Sequence, residues 1–246
     1  MFSMAPLVVI KDLVKEYPGR RALDSISLEI DEGEIYGLIG PNGAGKTTTL
    51  RILSTIIKPT SGSAEICGKD VVREGDAVRK LISYLPDEAG AYPNLSGLEY
   101  LRLMASFYYE GKDEIEKVLT DGREISGLGD RLADKTSAYS KGMRRRLLLA
   151  RTLMIKPKLA ILDEPTSGLD VMHAYHLRNV IKSYAKNNRT TVLLSSHNML
   201  EVEDLCDRVA FINEGKIMEV GTPPELLSRH NAPNLEVAFM KVVGFA

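Results

Sequence analysis

Behind the apolar run Ile35–Ile39 the chain reads Gly40-Pro41-Asn42-Gly43-Ala44-Gly45-Lys46-Thr47-Thr48, and this stretch decides the fold. It fits the pattern G-x-x-x-x-G-K-[ST], in which glycines let successive backbone N–H groups turn inward around phosphate oxygens. The run ahead of it has strand character. Behind it Leu50, Leu53 and Ile57 recur at helical spacing until Lys58-Pro59-Thr60-Ser61-Gly62 stops the pattern. Strand, glycine turn and helix together make a phosphate cradle, because the helix adds its positive N-terminal end to the N–H groups of the turn. In that setting Lys46 reaches the β and γ phosphates as a point charge, and the Thr47 hydroxyl joins the shell of Mg²⁺.

Working outward, residues 7–10 and 26–30 read as short strands before the cradle, and 63–67 and Ile82–Leu85 as strands after it. A helical block follows, over 96–109 with Leu98, Leu101, Ala105 and Tyr108 in register, and then over Lys112–Ser126. Met143, Leu147, Ala150 and Met154 mark a further helix, halted by Pro157. It leads into Leu159-Ala160-Ile161-Leu162, four apolar residues without alternation, as in a strand covered on both faces. A helical stretch over 172–185 and a second apolar strand at 191–194 complete the βαβ alternation of a parallel sheet. Residues 209–212 and 216–220, split by Asn213-Glu214-Gly215, predict a hairpin, and two short helices are expected from Pro223 onward. The fold class is α/β, with no internal repeat and no linker between two halves.

Composition sets the limits. With 246 residues, 44% hydrophobic and 26% charged, the chain buries a core without disulfides, which excludes a stapled miniprotein, a disordered chain and a low-complexity array. Lys plus Arg at 32 against Asp plus Glu at 33 gives a net charge of −1, so bulk attraction to nucleic acid or anionic lipid is not implied and any polyanion site is local. No apolar run approaches the about 18 residues of a membrane span, and residues 1–10 lack the marks of a signal peptide, so a cytoplasmic chain is expected. Cys67 and Cys206 belong to no CxxC pair and read as small core residues. The run Arg144-Arg145-Arg146 lacks interleaved aromatics and reads as solvated charges and salt bridges rather than a nucleic-acid surface. Most rings of the aromatic-rich 92–109 region are expected in the core, with any exposed apolar groove there suited to a partner.

Hydrolysis at a nucleotide needs a carboxylate for the metal and a group to accept a proton from water. Leu162-Asp163-Glu164 supplies both at a strand's C-terminal end, where open α/β sheets bind ligands: Asp163 for Mg²⁺, Glu164 as general base. The second apolar strand ends in Ser195-Ser196-His197, which brings an imidazole toward the γ phosphate.

These residues, in their order, resemble the nucleotide-binding domain of ATP-binding-cassette proteins over essentially the whole chain. Residues 40–48 are similar to the family's Walker A motif, Tyr139-Ser140-Lys141-Gly142-Met143 to its signature, 159–164 to Walker B, Ser167-Gly168-Leu169-Asp170 to the D-loop, and His197 to the switch histidine. The resemblance implies a P-loop NTPase core with an antiparallel β subdomain and an inserted α-helical subdomain. It divides a single domain over 1–246 into a core at 1–87 and 159–221, a helical signature region at 88–158 and a tail at 222–246. It also implies ATP and Mg²⁺ as cofactors, and a second copy of the chain, or a homologous cassette, paired head to tail. Each ATP then lies between Lys46 of one copy and Ser140, Lys141 and Gly142 of the other, Asp170 senses the opposite site, and Tyr17 stacks on adenine.

Two positions depart from the pattern. Lys141 and Met143 stand where the commonest signature has Gly and Gln, while Ser140 and Gly142 are kept. Asp87, in Ser83-Tyr84-Leu85-Pro86-Asp87-Glu88, stands where the family has a glutamine that touches Mg²⁺ and links the site to the transport machinery. An extra carboxylate is able to ligate metal but donates no hydrogen bond when ionised. A chain without membrane spans needs a separate permease, which predicts a peripheral position on the cytoplasmic face of the membrane. The tail from Asn234 to Gly244 resembles the closing helix of exporter subunits for drugs, lipids or polysaccharides. The alternative is a cytosolic ATP switch on a soluble assembly, such as an iron–sulfur scaffold.

Overall fold

The computed structural model describes residues 5–244. Strands β1 (Val8–Tyr17) and β2 (Arg20–Ile30) pair antiparallel and lead to β3 (Ile35–Ile39), which runs into the glycine turn and α1 (Lys46–Leu53). The helix ends at Leu53, short of Ile57, because Thr55 turns into the left-handed region at φ 60°. Strands β4 (Ser61–Ile66) and β5 (Lys69–Asp70) complete an antiparallel sheet in the order β2-β1-β4-β5. A short α2 (Gly75–Arg79) then precedes β6 (Ile82–Leu85).

The helical block comprises α3 (Gly97–Ala105), α4 (Lys112–Ser126) and α5 (Lys141–Leu153). Each boundary has a local cause. Ser96 and Glu99 form a reciprocal capping box at the start of α3, Gly127 ends α4 in the left-handed conformation at φ 55°, and Ser140 caps α5. Beyond come β7 (Leu159–Asp163), α6 (Val171–Asn188), β8 (Thr191–Ser196) and α7 (Met199–Leu205). The described chain closes with β9 (Arg208–Asn213), β10 (Lys216–Gly221), α8 (Pro223–Arg229) and α9 (Leu235–Val242).

The second sheet runs in the order β10-β9-β3-β8-β7-β6, parallel throughout except for the β9–β10 hairpin. Its central strands are apolar on both faces because each face has its own core. Ile35 and Ile39 of β3, Ala160 and Leu162 of β7, and Val192 and Leu194 of β8 pack toward the helical side. The residues between them, Tyr36 and Leu38, Leu159 and Ile161, and Leu193, pack toward α1 and the antiparallel sheet. Period-two alternation survives, directed into two cores. Full burial of each Leu or Ile stabilises by roughly 1.5–3 kcal/mol, and the central strands stack several such residues at full burial.

The expected α/β class, the parallel sheet, the hairpin and the two tail helices are all present. Three expectations are corrected. Cys206 is buried against β3, but Cys67 is exposed, on a turn with φ 52°. The helix predicted over 96–109 stops at Ala105; Tyr100 is buried while Tyr92, Phe107 and Tyr108 are exposed. The arginines of 144–146 are not solvated charges. All three donate to backbone carbonyls, and Arg145 is buried.

Candidate nucleotide site

The phosphate cradle sits at the C-terminal edge of β3. A Cβ on Gly40 would lie 2.0 Å from the carbonyl oxygen of Ile212, so only glycine lets β3 leave the sheet this close to β9. Gly45 has φ 113° and caps α1, whose first turn carries no acidic side chain, so the positive helix end is left for an anion. Lys46 is buried; its Nζ donates to the carbonyls of Gly40 at 2.7 Å and Pro41 at 3.2 Å, and pairs with Glu164 at 3.4 Å.

A cavity of about 220 Å³ opens over this turn, lined by Asn42, Gly43, Gly45, Lys46, Thr47 and Thr48, with Tyr17, Arg20, Asp87 and Glu164 around them. Tyr17 is partly exposed at its edge, with the Lys15 ammonium 5.1 Å from the ring centroid. The Thr47 hydroxyl donates to Asp163 at 3.1 Å, and Ser195 donates to the same carboxylate oxygen at 2.6 Å. Tyr84 donates to the other oxygen at 3.3 Å; burial and the nearby Asp163 push its hydroxyl up to about 12. A hydroxyl beside one carboxylate suits Mg²⁺, which is held by one or two carboxylates with phosphates and waters, so the donor set fits the metal.

Glu164 is buried with φ 48°, a left-handed conformation that costs a non-glycine residue roughly 1–2 kcal/mol. Its amide donates to Ser195 Oγ at 3.0 Å, and His197 Nδ1 lies 2.8 Å from its Oε2. One carboxylate therefore contacts Lys46 through Oε1 and His197 through Oε2. Asp87 lines the same cavity. Burial pushes its carboxyl up from the ordinary value; Arg145 opposes this, and Asp163, Glu164 and Glu88 add to it.

The signature lies elsewhere. None of Ser140, Lys141, Gly142 and Asp170 lines the cavity. Ser140 caps α5 by accepting from the Met143 amide at 3.2 Å. Asp170 caps α6, accepting from the His173 amide at 3.0 Å and pairing with its Nδ1 at 2.7 Å; these bonds hold the carboxyl below its usual range. The His173 ring lies directly over Gly142, where an added Cβ would meet Cδ2 at 2.4 Å. Lys141 extends to Gly168, so the start of α5 meets the first turn of α6 through His173 and the loop before α6 through Lys141.

Sequence reasoning missed Arg20, Tyr84, Ser195 and Arg145. Arg20 lines the cavity and donates to the carbonyl of Gly43. Ser195 was visible beside His197, but its bond to Asp163 follows from the register that sets it opposite that residue. Arg145 had a readable signal: with Leu148, Leu149 and Thr152 it falls on the buried face of α5 at i+3, i+4 and i+7.

The family model described as "ABC transporter" matches residues 23–167. The chain is 38% identical over 234 residues to the bacitracin transport ATP-binding protein BcrA of Bacillus licheniformis, covering 95% of this chain and 75% of that one. It is 39% identical over 219 residues to the daunorubicin/doxorubicin resistance ATP-binding protein DrrA of Streptomyces peucetius, covering 88% and 65%. Among solved structures, an ATP binding subunit of an ABC transporter superposes with a TM-score of 0.85 at 27% identity, over 96% of this chain and 99% of that one. The dimeric cassette MJ0796 bound to ADP and Pi gives a TM-score of 0.79 at 26% identity, over 87% and 98%. By sequence and by fold this chain belongs to the ABC transporter family, as an ATP-binding subunit with ATPase activity.

Proposed function

We propose that this chain hydrolyses MgATP as one half of a head-to-tail dimer and drives export through a separate membrane permease. The observation that carries the pairing is the separation of the two phosphate-binding elements. Lys46 and the glycine turn line the cavity, whereas Ser140, Lys141 and Gly142 sit outside it at the start of α5. A second copy, or a homologous cassette, supplies the missing face, and Asp170 lies beside that face through His173.

Bound MgATP supplies the phosphoanhydride bond, with the metal neutralising phosphate charge. Thr47 and Asp163 would hold the metal, with Asp87 at the cavity wall. Lys46 leaves Glu164 for phosphate oxygens, and Glu164 accepts a proton from the attacking water, a contribution of about 10²–10⁴-fold. His197 orients the carboxylate through Oε2. Tyr17 takes the adenine at the cavity edge. The core at 1–87 and 159–221, the helical region at 88–158 and the tail at 222–246 act as parts of one cassette.

The export direction rests on relatives named for bacitracin transport and for daunorubicin/doxorubicin resistance. These relatives favour transport over a switch on a soluble assembly. Among the described residues no helix is long and apolar enough to cross a membrane. A docking position at the cytoplasmic face is supported by a groove of about 960 Å³ between β6, α3 and α5, lined by Tyr84, Met104, Phe107, Tyr108 and Arg151, with Arg79 also on its wall. It suits a permease segment carrying apolar and acidic side chains.

Lys46→Ala is expected to abolish turnover, and Glu164→Gln to retain ATP and accumulate dimers on a sizing column. Full ATPase activity in Glu164→Gln, with no ATP-dependent dimer, would sink the proposed mechanism.

A further inference from the structure

Arg145 stands on α5 one turn beyond the Ser140 cap, yet its side chain belongs to the ATP site's frame. Nε donates to Pro165 O at 2.8 Å, Nη1 to Pro86 O at 3.0 Å and Asp87 O at 2.9 Å, and Nη2 to Asp163 O at 2.8 Å and Glu164 O at 2.7 Å. A guanidinium has five N–H donors in a fixed fork, and these five carbonyls match that number. The acceptors come from the last residue of β7 and the loops leaving β6 and β7, neighbouring strands paired Leu85 to Leu162. Three are consecutive, 163 to 165. In an extended strand successive peptide groups point opposite ways, so convergence on one side chain requires the chain to turn, and Glu164 turns it with φ 48°.

The arrangement is costly unless it is complete. Arg145 is buried, and a buried charge is tolerated only when its donors are satisfied. Burial pushes its pKa down from the ordinary value, while Asp87, Asp163 and Glu164 oppose that shift; an arginine keeps its charge regardless.

We infer that Arg145 is a positioning residue for hydrolysis, holding the Glu164 peptide in its left-handed turn and tying it, with Asp87, to the signature helix. Movement of α5 is then transmitted to Glu164 through one rigid side chain. This rests on Glu164 being the general base, as proposed above, and reaches further: it names what places that base and what links it to the partner-facing end of α5.

The test uses the full chain with Arg145→Lys and Arg145→Gln, each alone and combined with Glu164→Gln. Lysine keeps the charge but offers three donors without the fork. A misplacement of about 1 Å costs on the order of 100-fold in rate, so kcat is expected to fall by about that factor in Arg145→Gln and by less in Arg145→Lys. Affinity for a fluorescent ATP analogue stays within about twofold, because Lys46 and the glycine turn are untouched. In the Glu164→Gln background the Arg145 change adds no further loss, since both act through one group. Without nucleotide, hydrogen exchange at the amides of 163–168 rises in both Arg145 variants. Should Arg145→Gln fail to fold, Arg145→Lys decides by the same measures. Wild-type kcat in the folded variants, losses that multiply with those of Glu164→Gln, or an equal fall in affinity and kcat would each overturn the inference. Full activity of Glu164→Gln alone would instead overturn the assignment of the base.

Discussion

Gly40 and Gly142 lack a Cβ for different reasons, and substitution separates them. At Gly40 the added atom would meet a backbone carbonyl of β9 at 2.0 Å, which has no rotamer to escape into. Gly40→Ala is therefore expected to cost about 1–3 kcal/mol of stability, the range for overpacking a tight interior, read from denaturant unfolding. At Gly142 the added atom would meet the His173 ring, a side chain able to turn away. Gly142→Ala should cost less, and His173→Ala should remove most of that cost, a coupling that a double-mutant cycle measures directly. If the two substitutions add independently, the imidazole does not sit on the signature turn. Motif spacing led to both glycines being expected at a phosphate site. It did not distinguish them, because the distinction lies in what packs against each from 31 or more residues away.

Among elements, the interlock of α5 and α6 depends on a cap. Asp170 holds the first turn of α6 and, through His173, the start of α5. Its carboxyl titrates below the ordinary range, chiefly because the His173 amide donates to it and then because the ring does. A lowered folded value means the unfolded chain binds the proton first as pH falls, so the contribution is present above the ordinary carboxylate range and is lost on acidification through the folded value. Asparagine caps about as well as aspartate but carries no charge. The melting temperature of Asp170→Asn should lie below that of the parent at neutral pH and converge with it in acid. A gap that persists unchanged in acid would reject the ionic part of the interlock. Most elements were legible from pattern because their causes are local: a two-sided apolar run for β7, a Gly127 stop for α4, an Asp170 cap for α6. The two-residue β5, five-residue α2 and seven-residue α7 were not, since two residues carry no period, α2 buries only Val78 and α7 only Val202 and Leu205. Strands β1 and β2 also run beyond the expected 7–10 and 26–30, where shifts in their register break the alternation. Arg145 was misread because its charge was given more weight than its position on a buried helix face. The acceptors that make that position tolerable come from 58 or more residues upstream and 18 or more downstream.

Over the whole molecule the carboxyl ends of β3, β6, β7 and β8 carry the residues proposed for ATP, and the groove wall built from β6, α3 and α5 carries the exposed Phe107 and Tyr108. Arg151 connects the two regions within the chain: it donates to the carbonyl of Tyr84 at 2.7 Å in the groove, while the Tyr84 hydroxyl reaches Asp163 at 3.3 Å in the site. A partner seated in the groove would therefore press on a strand whose Tyr84 hydroxyl touches Asp163, the carboxylate proposed above for the metal. Phe107 is 70% exposed and Tyr108 53%, so changing both to serine removes little internal packing. Surface changes of this kind usually stay within about 0.5 kcal/mol of the parent. Phe107→Ser with Tyr108→Ser should leave the stability, ATP affinity and basal turnover of the isolated chain at parental levels, and abolish co-purification with the permease from membranes. Retained co-purification at parental yield would move the docking surface off this wall. A fall in basal turnover without permease would mean that the aromatics support the ATP site itself, through β6, rather than a partner.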